Sequence, residues 1–217
     1  MDNNLQITID GPAATGKTTV GKIVADQIGW RFLDTGLMYR AGTKVLLESN
    51  VDWNNENAMV EIIRNSHIRL EYTNKGTRIF VADSDVTESL RDDEVELKVS
   101  LVSKVLEIRD LMVLNQRQIA KSGPIVMVGR DIGSVVLPNA SKKIYLDASA
   151  KTRALRRFKD TNNKTVDDVI RNIMARDKID SERSHAPLRI PSGAYKIDTD
   201  DMTIDQVVTE IIKHISK

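Results

Sequence analysis

The stretch Gly11-Pro-Ala-Ala-Thr-Gly-Lys-Thr18 decides the fold. It matches G-x-x-x-x-G-K-[ST] at every position, and its flanks give the match its meaning. Upstream, Leu5-Gln-Ile-Thr-Ile9 alternates as a strand does. Downstream, Val20, Ile23, Val24 and Ile28 recur at helical spacing until Gly29 supplies a stop. A strand, a Gly-rich turn and a helix in that order form a phosphate loop. Gly11 and Gly16 let the chain curl so that backbone N–H groups meet phosphate oxygens, and the positive end of the helix that begins near Lys17 adds to them. Nucleotide binding is therefore expected at Gly11, Pro12, Ala13, Ala14, Thr15, Gly16, Lys17, Thr18 and Thr19. Lys17 should reach the β- and γ-phosphates, and the Thr18 hydroxyl should ligate a Mg²⁺ ion that accompanies ATP.

Outward from the loop, a short strand at 31–33 leads into Asp34-Thr-Gly36 and a second helix to about Ser49. Strand, helix, strand, helix is the rhythm of a parallel α/β sheet. The texture changes between about 65 and 91, where two β-rich runs, 67–72 and 77–81, flank Thr-Asn-Lys-Gly, a hairpin signal. Helices are expected at 92–104 and 107–121, then a buried central strand at 125–128 between Gly123-Pro124 and Gly129. Another strand reads at 142–146. From Ser149 the pattern is helical, with Arg153, Arg156 and Arg157 on one basic face. Asn162-Asn163-Lys164 breaks it, and a further helix runs from about Val166 to Asp180. The chain ends with a strand at 195–197 and a helix striped by Ile204, Val207, Val208, Ile211, Ile212 and Ile215, opened by a capping box of Thr203 and Gln206. The expected fold class is α/β, a P-loop NTPase-type three-layer architecture with a parallel sheet, in one domain over 1–217 with a small β-rich insert at about 62–92.

At 217 residues and 41% apolar, the chain can bury one sizeable core. With 32 basic against 31 acidic side chains, the net charge of +1 calls for neither a nucleic acid nor an acidic membrane as partner, so functional positive charge must be local. The absence of cysteine excludes a disulfide framework and a thiol nucleophile. His67, His185 and His214 are too scattered to suggest a histidine metal site. Met1-Asp-Asn-Asn lacks the basic start of a signal peptide, and a cytoplasmic monomer is expected.

A phosphate loop alone leaves GTPases, motor ATPases and small-molecule kinases open. No Asn-Lys-x-Asp run of a guanine reader is present, and no second domain is long enough for a motor. Arginines instead recur at expected loop and helix positions: Arg40, Arg109, Arg130, the trio at 153, 156 and 157, Arg176 and Arg183. Phosphoryl transfer needs such groups, because its catalysis is mostly positioning and charge neutralisation.

Three further segments resemble bacterial cytidylate kinases: Leu33-Asp-Thr-Gly-Leu-Met-Tyr-Arg40, Gly129-Arg-Asp-Ile-Gly-Ser-Val-Val-Leu-Pro138, and Arg176-Asp-x-x-Asp180-x-x-Arg183 followed by Ala-Pro-Leu188. With the phosphate loop they span nearly the whole chain in order, and the β-rich insert is similar to that family's enlarged monophosphate-binding insert. The resemblance implies transfer of a phosphoryl group from ATP to CMP or dCMP, with Lys17, Arg130, Arg176 and Arg183 as the catalytic cations. It implies that Thr35, Arg40, Arg130 and Arg183 hold the acceptor phosphate, and that Ser100, Arg109 and Asp131 read the cytosine edge. Asp131 would accept from the exocyclic amine, a contact that uracil cannot offer. Arg176 and Asp180 would meet the sugar hydroxyls. The basic face with Arg157 would begin a helical lid, at about 154–180, that covers ATP and excludes water.

Four alternatives stay open at this level. Ser103 neighbours Ser100 in the same helical stretch, and Asp131 could instead tie down Arg130 or a neighbouring arginine. The acceptor could be UMP or AMP, or the chain could be a catalytically weak nucleotide-binding regulator. Two departures from the family pattern bear on this. Val128 stands where an acidic residue commonly precedes Gly-Arg-Asp, so Asp34 or Asp10 would have to compensate at Mg²⁺, and Ile179 stands where an arginine is usual.

Overall fold

The strand that enters the phosphate loop, β1 (Gln6–Asp10), is the middle of a five-stranded sheet. Elements are numbered in chain order. With β2 (Arg31–Asp34), β6 (Ile125–Gly129), β7 (Lys142–Asp147) and β8 (Tyr195–Asp198), the sheet runs β2-β6-β1-β7-β8. The pairings of β1 with β6, β1 with β7 and β7 with β8 are all parallel. The structure, a computed structural model, describes residues 5–73, 76–158 and 165–216. Its chain divides into two compact units, one formed by the chain up to Leu33 and from Gly123 onward, the other by Asp34–Ser122.

In the first unit every residue of β6 is buried, as are the last four of β1, and β6 accordingly reads as a continuous apolar run rather than an alternating one. Helices α1 (Lys17–Ile28) and α8 (Ile204–Ile215) pack on this sheet: Val20 and Val24 from one, and Val207, Val208 and Ile211 from the other, join Ile7, Ile9, Val126, Ile144 and Leu146 in one core. Val128 belongs to that core at 1% exposure. A Cβ on Gly21 of α1 would lie 2.5 Å from Val128 Cγ1, so the valine fills space that a glycine leaves open. The Trp30 N–H donates to Ala25 O at 2.9 Å, which closes the end of α1 in a Schellman turn at Gly29. The capping box at Thr203 is formed in full: Gln206 N–H donates to Thr203 Oγ1 and Thr203 N–H to Gln206 Oε1. A second small core joins Ala13 of the phosphate loop to Ala154 of α6 (Ala150–Phe158) and Val169 and Ile173 of α7 (Val166–Glu182).

The second unit holds α2 (Thr35–Glu48), α3 (Glu56–Arg64), α4 (Asp93–Val102) and α5 (Leu106–Ala120). It also holds an antiparallel sheet of β3 (Ile68–Thr73), β4 (Gly76–Val81) and β5 (Ser84–Asp85), which is the expected β-rich segment. Ile79 of β4 and Leu90 bury themselves against Ala41 of α2, with Leu37, Ile68, Leu70 and Val86 around them. Helix α3 was not expected from the sequence. Asn55 caps it, accepting from Ala58 N–H at 3.0 Å, and Met59, Val60 and Ile63 anchor it. Residues 74–75 of the Thr-Asn-Lys-Gly stretch and the expected break at 162–164 lie outside the described residues. Among the described residues no helix is long and apolar enough to cross a membrane.

Candidate active site

The phosphate loop has the curvature its glycines predict. Gly11 takes φ +151°, and a Cβ there would stand 2.1 Å from Leu146 O, so no other residue fits between β1 and β7. Ala14 is also left-handed, at φ 59°, a costly conformation for alanine that the turn imposes. Helix α1 begins at Lys17 with no acidic residue in its first turn, which leaves its positive end for an anion. Lys17 is buried, and its ammonium donates to Pro12 O at 2.5 Å and Thr15 Oγ1 at 3.2 Å, folding the side chain across its own loop. Thr18 is half-buried and Thr19 exposed, in the first turn of the same helix.

Ala13 is held at both its backbone groups. Its N–H donates to Asp177 Oδ1 at 3.0 Å, and its carbonyl accepts from Arg153 Nη1 at 2.9 Å. Arg153 Nη1 also bonds Asp177 Oδ2 at 2.5 Å, and its Nε bonds Ala148 O at 3.0 Å. The loop is thus tied to α6 and α7 by one partly buried ion pair. Two of the three arginines expected on the basic face that begins a lid, Arg153 and Arg156, are therefore engaged with the protein's own scaffold. Arg153 is 7% exposed, and Arg156 bonds the Thr199 hydroxyl and carbonyl. Helical spacing places three cations on one face and does not say whether that face meets solvent or scaffold. Arg157 is half-buried on the same helix.

Arg130, Asp180 and Arg183 form a second cluster. Asp180, 3% exposed, accepts from Arg130 Nε at 2.9 Å, while Arg183 Nη1 lies 3.8 Å from its other oxygen. Burial pushes the Asp180 carboxyl up, but Arg130, Arg183 and Arg176 together outweigh it and hold the group below the usual carboxylate range. Asp180, the sugar contact of the sequence reading, is therefore a partner of Arg130 in this structure. Asp131 is 5% exposed beside that arginine.

Asp10 ends β1 fully buried. Its Oδ1 accepts from Ile132 N–H and its Oδ2 from Gly133 N–H, both at 2.7 Å. Burial pushes its carboxyl up to about 7, against the pull of those two N–H groups; Asp131 adds to the rise and Lys17 opposes it. Asp34 caps α2, accepting from Gly36 N–H at 2.9 Å. Both acids proposed to stand in for the residue missing at Val128 are thus engaged with backbone.

In the second unit, Thr35 is buried in the first turn of α2, and Arg40 pairs with Glu96 at 2.7 Å and donates to Leu90 O at 3.2 Å. Arg109 is 3% exposed, donates to Ser103 O at 3.1 Å and lies over the Tyr39 ring at 5.6 Å. The Ser103 hydroxyl is spent on Ser100 O at 3.2 Å, whereas the buried Ser100 hydroxyl makes no such bond among the described residues. Of the two serines, Ser100 keeps the freer hydroxyl.

Sequence reasoning missed Asp177 and the backbone role of Asp10. Asp177 stands inside the quoted Arg176–Arg183 run, but its partner Arg153 is on another helix. Asp10 abuts the phosphate loop, but its partners lie more than a hundred residues away.

Among the described residues no group of three or more carboxylate or imidazole side chains gathers as a metal cage. A magnesium nucleotide needs none, since the ion takes one or two protein oxygens with phosphates and water. Thr18, beside buried Lys17 at the acid-free start of α1, fits that demand.

A parallel sheet with a phosphate loop at the carboxyl end of its central strand, and an arginine cluster around a buried carboxylate in the same unit, defines a P-loop kinase. The family model for cytidylate kinase matches residues 7–217, and the chain belongs to that family. A cytidylate kinase of Bacillus subtilis (strain 168) is 43% identical over 221 residues, which cover 100% of this chain and 99% of that protein. One of Caldanaerobacter subterraneus is 43% identical over 217 residues, covering 98% and 95%. A crystal structure of shikimate kinase from Bacteroides thetaiotaomicron superposes with a TM-score of 0.52 over 98% of this chain and 99% of that one. At 12% identity that likeness is one of fold.

Proposed function

We propose that the chain transfers the γ-phosphoryl group of ATP to CMP and dCMP, giving ADP and CDP or dCDP. The observation that carries this reading is the presence, within one unit of a cytidylate kinase family member, of a phosphate loop holding a buried Lys17 and of an Arg130–Asp180–Arg183 cluster whose Asp180 and Arg183 are buried. An oxygen of the acceptor phosphate attacks the γ-phosphorus in line and the β–γ bridging oxygen leaves with ADP. That oxygen is largely ionised at neutral pH, so no protein base is required. The protein's part is to position and to spread charge. In the first unit Gly11 to Thr19 hold the triphosphate, and Lys17, Arg130, Arg176 and Arg183 neutralise the transferred group. Thr18 would hold Mg²⁺, which shields the charge between phosphates, and Arg157 completes the ATP contacts. For the acceptor we assign Thr35, Arg40, Ser100 and Arg109 in the second unit, and Asp131 and Asp180 in the first. The same reading makes the chain a cytoplasmic monomer working on free nucleotides.

Incubation with ATP, Mg²⁺ and each of CMP, dCMP, UMP and AMP, followed by ADP release, tests the assignment. CMP and dCMP should be the best acceptors by far; a preference for UMP or AMP would overturn the role of Asp131. Lys17→Ala should abolish turnover, by a factor of about a thousand or more, with the far-UV spectrum unchanged. Near-normal turnover in that variant would remove the phosphate loop from the mechanism.

A further inference from the structure

Asp10 precedes the first glycine of the phosphate loop, and none of the assigned roles uses it. Its carboxylate is fully buried and each oxygen takes one backbone N–H, from Ile132 and Gly133, at 2.7 Å. Those two N–H groups open a π-helical turn, Ile132–Val136, and the first amides of any helix lack acceptors within it. The turn closes through bonds five residues apart: Val136 N–H to Asp131 O at 3.3 Å and Leu137 N–H to Ile132 O at 2.7 Å. Such turns are rare and cluster at functional sites. The two residues directly before it are Arg130 and Asp131.

Gly133 shows how closely the turn is pressed onto β1. A Cβ there would stand 2.7 Å from Thr8 Oγ1, 3.1 Å from Asp10 Oδ2 and 3.1 Å from Pro191 Cγ. A glycine is required for that approach. One carboxylate at the mouth of the phosphate loop thus fixes the backbone that carries Arg130 and Asp131. We infer that Asp10 is a positioning residue: by accepting from Ile132 and Gly133 N–H it sets the orientation of Arg130 and Asp131 toward the acceptor nucleotide. The inference rests on the acceptor reading above, in which those two residues meet CMP.

Asparagine in place of Asp10 keeps the shape but offers one oxygen where two are needed, and turns an amide N–H toward a backbone N–H. Steady-state kinetics of the full chain, wild type against Asp10→Asn, should show the CMP KM raised about tenfold or more, the magnitude of one orphaned buried donor. The ratio of kcat/KM for CMP over UMP should fall severalfold, while the ATP KM stays within about twofold. A role in stability alone would lower the melting temperature and leave both KM values and the CMP/UMP ratio where they were. That result overturns the inference, as does an equal rise in the ATP and CMP KM values. Should Asp10→Asn fail to fold, Gly133→Ala decides, since its methyl group would meet Thr8 Oγ1 and Asp10 Oδ2 and displace the same turn from β1. It should reproduce the selective loss toward CMP, and a uniform loss would overturn the inference. The wild-type arm separates this from the function itself: a wild type that prefers another acceptor refutes the CMP reading, and the same KM comparison run with that acceptor then decides whether Asp10 orients the turn.

Discussion

Thr8 and Asp10 are two apart on β1 and so face the same side of the sheet. Their fates differ. Asp10 gives both oxygens to backbone donors, whereas Thr8 Oγ1, on a fully buried side chain, has no hydrogen-bond partner among the described residues. A buried hydroxyl without a partner loses its hydration and gains nothing in return. Thr8→Val keeps the β-branched shape and should therefore stabilise the fold by up to about 1 kcal/mol in urea unfolding, with turnover unchanged. A loss of that size instead would mean that the hydroxyl has a partner. Val128 illustrates the same logic in reverse. Its side chain enters the apolar space above Gly21, where an acid would have to be paired or hydrated.

Between elements, one link in the first unit runs from α6 and α7 to the phosphate loop. Asp177 and Arg153, with side chains 17% and 8% exposed, hold both backbone groups of Ala13. Removing one partner of a buried pair strands the other charge. Asp177→Ala should cost about 3 kcal/mol in urea unfolding and raise the ATP KM, because the loop loses its tie as well; unchanged stability and ATP KM would show the clamp to be incidental. Elements of this kind were unevenly legible in the sequence. The α8 capping box was readable because Thr203 and Gln206 are three residues apart. So was the phosphate loop, whose strand, turn and helix are contiguous. Helix α3 escaped because its buried residues, Met59, Val60 and Ile63, span little more than one turn behind the polar stretch Asn54-Asn55-Glu56-Asn57. The π-helical turn was invisible for a deeper reason: its donors are answered by Asp10, 122 and 123 positions away. The partners of Arg153 and Arg156 were not legible, because a helical pattern reports which side chains share a face, and Asp177 and Thr199 lie on other segments.

For the whole molecule, the residue that orders the site also sets how stability responds to pH. Asp10 has its carboxyl pushed up to about 7 from 3.8, chiefly by burial, with Asp131 reinforcing the shift and Lys17 and the Ile132 and Gly133 amides opposing it. A raised folded-state value means that the native chain binds a proton that the unfolded chain has released. Its stabilising effect is full below about 4 and is lost as pH rises through about 7. At 1.36 kcal/mol per pH unit, raising the pH from 5.5 to 8 should remove roughly 2 kcal/mol. Asp180 runs the other way, since its carboxyl is held low, but its contribution is present above the ordinary carboxylate value and is lost only in stronger acid. Tyr145, pushed up to about 12 by burial and nearby carboxylates, acts only far into alkali. Between pH 5.5 and 8, Asp10 therefore governs the slope among these groups. Urea unfolding of wild type and Asp10→Asn at both ends of that range checks this: the wild type should lose stability toward pH 8 and the variant should be nearly flat. Equal slopes would mean that Asp10 does not carry the proton. The Ile132 and Gly133 N–H groups favour the ionised form, so the turn and the buried carboxyl's protonation are linked across this same pH range.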